Sequence, residues 1–159
     1  LHDALPIYSI ELIKTNNGRN LIVGEWVLYS PQTLSIRDLK LLEKVVLFVP
    51  WHPRSSPNQK FTQDTRELWH GPVNPTTATT YDATRTLIKA LEMSKKPTRK
   101  GIQKTLASPG FSADGATGTI EFTSNGHRKN PSGELVHIVP CPNDFFGLAF
   151  VPLDYSSCD

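Results

Sequence analysis

The chain has 159 residues, 38% of them hydrophobic and 20% charged, with mean hydropathy −0.31, a formal net charge of +2 and a pI near 8.6. That length is one domain or part of one. The longest apolar run, residues 45–51, is far too short to cross a bilayer, and the basic residues are too few and too scattered for a nucleic-acid surface.

In chain order, residues 1–7 read as a translated DNA sequencing adapter and are set aside from fold reasoning; on that reading the native chain begins upstream and this is a C-terminal piece. Residues 8–14, with Ile10, Leu12 and Ile13, read as the tail of a helix, and Asn16-Asn17-Gly18 as a turn. Residues 21–23 form a short apolar run ending at Gly24, as a buried parallel strand would. Ser30-Pro31 breaks the chain. Residues 33–44 read as a helix with Leu34, Leu39 and Leu42 on one side, and Ser35 and Asp38 have capping-box spacing near its start. Residues 45–49 are continuous and rich in valine, as in a strand covered on both faces. Strand, helix and strand in this order imply a βαβ unit and a parallel sheet.

Pro50-Trp51-His52-Pro53 ends that strand, and 54–59 is a polar loop. Phe61, Thr65, Leu68 and Trp69 follow helical spacing, giving a short helix with an aromatic inner face that Gly71-Pro72 ends. Asn74-Pro75 starts a helix running to about Met93, with Tyr81, Thr84, Leu87, Ile88 and Leu91 on one side. Thr98 caps a second helix carrying Ile102 and Leu106, and Ser108-Pro109-Gly110 stops it. Lys95, Lys96, Arg99, Lys100 and Lys104 read as a solvated helix face. Residues 119–122 alternate like a half-buried strand, Asn125-Gly126 is a strong turn signal, 135–139 is another strand, and 145–153 is a last apolar segment.

The residues give no support to catalysis. His52, His70, His127 and His137 are too dispersed for a zinc motif, no H-E-x-x-H or G-x-S-x-G is present, and no cysteine has a nucleophile context. The expectation is a non-enzymatic chain with no cofactor and no metal. Cys141 and Cys158 lie far apart at spacing that fits no metal motif; pairing in an oxidising compartment stays open.

Residues 77–122, with A-T-T-Y-D-A, S-P-G-F and G-A-T-G-T-I-E-F, are the sharpest part of a wider likeness that includes L-Y-S-P-Q-T-L at 28–34 and V-P-W-H-P at 49–53. This chain resembles the C-terminal part of the type I periplasmic binding proteins, in particular cyanobacterial-type receptors for branched-chain amino acids and amides. The resemblance implies an α/β fold of parallel-sheet sandwich lobes that close around a solute like a Venus flytrap. Residues 8–72 would finish the second lobe, and 73–159 would return to the first lobe with a hinge hairpin and a C-terminal strand. It also implies an extracytoplasmic or periplasmic receptor of an ABC uptake transporter. Its partners would be a small solute of amino acid or amide type and the permease, with no nucleic acid. Its tie to the membrane would run through the permease or a lipid anchor outside this piece. The same fold serving as a sensory domain, or as a non-binding relic, are the rivals.

In such proteins an acidic residue after the glycine that ends a second-lobe strand pairs with the ligand ammonium, and here that residue is Glu25. Trp26 departs from the small residue usual next to it and would narrow the pocket or stack a flat ligand. Trp51 follows the next strand, at the carboxyl ends where open α/β sheets bind ligands. Tyr81 begins the return helix and would line the cleft or pack structurally. Asp82 reads as a hydrogen-bond partner near the helix start or hinge, and Gly115 and Gly118 as turn residues. His127 stands where relatives often carry an acidic residue, which argues against a hinge salt bridge at Arg128.

Overall fold

The computed structural model describes residues 4–71 and 73–158, so Leu1 to Asp3 of the adapter-like stretch and Pro72 lie outside the described residues. The chain divides into two compact units: one runs to Arg54 and resumes at Gly133, the other spans 55–132.

The first unit is built on a four-stranded sheet of order β1-β2-β5-β6, formed by Ile22–Glu25, Val45–Val49, Glu134–Pro140 and Leu148–Pro152. β1 and β2 run parallel, with Val23 opposite Val46, as the βαβ reading requires. The other two pairs are antiparallel, Val46 opposite His137 and Ile138 opposite Phe150, so the sheet is mixed where the sequence suggested a parallel one. The reason is connectivity: β5 and β6 arrive from beyond the second unit and are joined by a short link, which brings a strand back antiparallel.

One sheet face carries Val45, Leu47, Val49, Val136, Ile138, Leu148 and Phe150. Against it pack Ile13 of α1 (Ala4–Asn16), Leu28, Leu34 of α2 (Pro31–Leu34) and Leu42 of α3 (Leu39–Leu42). The single helix expected over 33–44 is therefore two separate turns. Ser30 caps the first, and the Asp38 carboxylate caps the second by accepting from the Lys40 amide at 3.0 Å. Between them Arg37 sits at φ 54°, which breaks the helix. The opposite sheet face is open on its β1–β2 side, where Val23 is 65% exposed and Phe48 50%, but closed toward β6, where Val139, Ala149 and Val151 are buried. β1 is thus an edge strand rather than a buried one, and β2 lacks the cover on both faces expected from its sequence. Gly24 is required in β1 by close packing, since a Cβ there would stand 2.9 Å from Leu28 Cδ1 and 3.0 Å from Leu47 Cδ2.

The first unit also holds a disulfide between Cys141 and Cys158, which resolves the alternative the sequence left open.

The second unit contains α4 (Gln59–Trp69), α5 (Pro75–Met93), α6 (Arg99–Leu106) and a hairpin of β3 (Ala113–Gly115) and β4 (Gly118–Ile120). Asn58, Asn74 and Thr98 cap the three helices by accepting from the amides of Phe61, Thr77 and Gly101. The side of α5 marked by Tyr81, Leu87, Ile88 and Leu91 is not the buried one. The helix buries Ala78, Asp82, Thr86 and Ala90 instead, an i, i+4 row of short side chains that lets β3 lie close. In α4, likewise, Phe61 and Thr65 are buried while Leu68 and Trp69 are exposed.

Candidate functional site

Glu25 ends β1, and Trp26 opens the single 3-10 turn Trp26–Leu28 that follows it. The Glu25 carboxylate is exposed and has no ion-pair partner among the described residues. It borders a hollow of about 200 Å³ whose walls are Leu12, Val23, Val27 and Leu28, with Ser9 at the rim. The arrangement is a carboxylate beside an apolar recess, which suits a cation carrying a hydrocarbon portion. Trp26 is 44% exposed and is not among the residues that line the hollow.

Trp51 follows β2, the strand next to β1, and is buried, at only 3% exposure. His52 beside it is 2% exposed. Its Nε2 bonds to the Phe150 carbonyl at 3.1 Å, and its Nδ1 accepts from the Arg54 amide at 3.3 Å. Those partners fit one neutral tautomer, with the proton on Nε2. Burial drives the pKa of His52 down to about 4, with the Arg54 charge adding to that and the Phe150 hydrogen bond opposing it. Tyr29 stacks on Phe150 at 4.4 Å. Burial first, and the charges of Asp144 and Glu134 after it, hold the phenol protonated well above its usual range.

Tyr81 belongs to the second unit. Its ring lies 4.7 Å from Phe61, and both line a groove of about 670 Å³ between α4 and α5, together with Trp69, Thr65, Thr77 and Thr80. Glu25 and Trp26 are thus neighbours at the end of β1, whereas Trp51 is buried just after β2 and does not line the hollow beside Glu25. Tyr81 stands on the other unit. Sequence reasoning did not signal the groove, because its walls come from two helices whose exposed and buried sides periodicity alone misassigned.

Asp82 is the hub of the second unit. Buried at 5% exposure, its carboxylate accepts from the Ala116 amide at 2.5 Å and from the Thr117 hydroxyl, and lies 3.5 Å from Arg128 Nη1. Arg128 also donates to Thr117 Oγ1 at 2.6 Å. The salt bridge that His127 argued against is present, with its acidic partner on α5 instead of in the adjacent turn.

The fold is α/β, and an exposed carboxylate stands at the end of its first strand. The family described as "Receptor family ligand binding region" matches residues 7–140, and the chain belongs to that family. Its fold is the type I periplasmic binding protein fold expected from the sequence. A leucine binding protein from Thermotoga maritima aligns at 19% identity and TM-score 0.70, covering 95% of this chain and 41% of its own. A fatty acid ABC transporter substrate-binding protein from Thermomonospora curvata aligns at 20% identity and TM-score 0.67, covering 96% and 42%. An ABC-type branched-chain amino acid transporter protein from Rhodopseudomonas palustris gives 14% identity and TM-score 0.59, covering 77% and 32%. The chain thus spans about two fifths of the first solved structures it matches. No curated protein matches it.

Proposed function

We propose that this chain is part of the extracytoplasmic solute-binding component of an ABC uptake transporter, taking an amino acid or amide-type solute and handing it to the permease. The observation that carries this reading is Glu25: an exposed carboxylate without an ion-pair partner among the described residues, at the carboxyl end of a strand and beside an apolar hollow. It offers the counter-charge for a ligand ammonium, while Leu12, Val23 and Val27 accept a side chain. Trp26 would stack on the bound solute, and Trp51 would support the strand end from within. Capture would shift an open–closed equilibrium by the ligand's greater affinity for the closed form.

The test is calorimetric titration of the protein carrying this chain with a panel of amino acids and short amides, beside its Glu25→Ala and Glu25→Gln variants. Loss of the charge should weaken amino acid binding by about a hundredfold, in line with removal of one partner of a desolvated ion pair. Unchanged affinity in both variants would remove Glu25 from the site. A ligand-binding sensory domain is the second reading, favoured by the receptor description of the family. The gene sequence upstream of Tyr8 separates the two: a secretion signal and a first α/β lobe support transport, an effector domain or membrane span supports sensing.

A further inference from the structure

We infer that residues 153–158 form a thiol-sensitive strap that fastens residues 51–54, where the chain leaves the first unit for the second. Beyond the Leu153 amide, which donates to the Leu135 carbonyl at 3.1 Å, three fastenings hold this segment to the first unit, one of them on Arg54. Cys158 is bonded to Cys141, a buried residue directly after β5. The Arg54 guanidinium donates through Nη1 to the Ser157 carbonyl at 3.3 Å and through Nη2 to the Cys158 carbonyl, and its carbon lies 5.0 Å from the centre of the Tyr155 ring. His137 Nε2 bonds to the Tyr155 carbonyl at 2.7 Å.

The grips of Arg54 and His137 are exposed or only part-buried, and they hold a segment whose ordering costs about 1–2 kcal/mol per residue in backbone entropy. The covalent bond keeps the tail within reach and so sustains them. Arg54 is then held at both ends, its amide on His52 Nδ1 and its guanidinium on the tail carbonyls. Arg54 is also the last residue of the first unit before the chain passes into the second. Opening the strap requires a dithiol. Its thiolate attacks Cys158 Sγ, the Cys141 thiolate leaves and takes a proton, and the second thiol of the reagent displaces Cys158 as a thiol. Two electrons and two protons pass to the protein, and the reagent becomes a cyclic disulfide.

Hydrogen exchange on the 159-residue chain in dilute solution, with and without dithiothreitol, tests this. Reduction should speed exchange at the amides of Trp51, His52 and Arg54 and across 154–158 by about tenfold, while β2 and β5 keep their protection. Arg54→Gln, with the disulfide intact, should reproduce the increase at 51–54. Unchanged exchange at 51–54 on reduction overturns the strap. So does an equal rise throughout β2 and β5, which would make the bond a general staple, and so does an Arg54→Gln variant that exchanges like the parent.

Discussion

Protonating His52 sets two donors face to face, because its Nδ1 already accepts from the Arg54 amide. The unfolded chain takes up a proton near pH 6.5 and the folded chain only near pH 4, so below 6.5 the unfolded state binds more protons. Stability from this residue is complete above pH 6.5, falls as pH drops toward 4, and levels off below it. The loss across that window is on the order of 3 kcal/mol. Urea midpoints measured from pH 7.5 to 4 should fall for the parent and fall less for His52→Gln; parallel curves would contradict the assignment. Asp82 acts at the same scale. Removing its carboxylate orphans the Ala116 amide and leaves the Arg128 guanidinium without its counter-charge. Asp82→Ala should cost about 3 kcal/mol in urea unfolding followed by circular dichroism.

Between elements, the decisive contact is the hairpin of β3 and β4 against α5. A methyl group at Gly115 would collide with the Asp82 carboxylate and with Ile120 Cδ1, whereas one at Gly110 meets nothing within 4 Å. Gly115→Ala should therefore destabilise the protein by about 1–3 kcal/mol, and Gly110→Ala should leave the thermal midpoint nearly unchanged. Local signals in the sequence marked many of the elements: the Asn74-Pro75 and Thr98 caps, the Asn125-Gly126 turn and the 45–49 strand all stand where composition put them. Two features were not legible. The break at Arg37 depends on which of two capping residues each starts a turn, and the spacing of Ser35 and Asp38 fits a single helix equally well. The buried side of α5 is a row of small and polar residues, which hydrophobic periodicity ranks below the leucines beside it. Glu25 was singled out through the family resemblance, as the acidic residue after the glycine of β1. The acidic partner of Arg128 was sought in the adjacent turn because sequence proximity cannot show a contact made from a helix far back in the chain.

For the molecule as a whole, the unpaired edge of β1 and the exposed Val23, Phe48, Leu68, Trp69, Leu87 and Leu91 are surfaces that water disfavours. The isolated 159-residue chain should self-associate with rising concentration in size-exclusion chromatography. A monomer persisting at high concentration, with a sharp two-state melt, would show these surfaces to be tolerated. The matched structures are more than twice as long, and their fold is recognisable here from less than half of it.

The split make-up of the first unit has a temporal consequence. β2 leaves the ribosome before the second unit, but its neighbour β5 is translated only after the whole of that unit, since Val46 pairs with His137. The second unit is contiguous and can gather its helices as they appear. The first must hold β2 with one side unfilled until β5 and β6 are made, and only then can Cys158 find Cys141. Its formation thus waits on the translation of β5 and β6, and a chain halted before Gly133 would carry a finished insert inside an unfinished host.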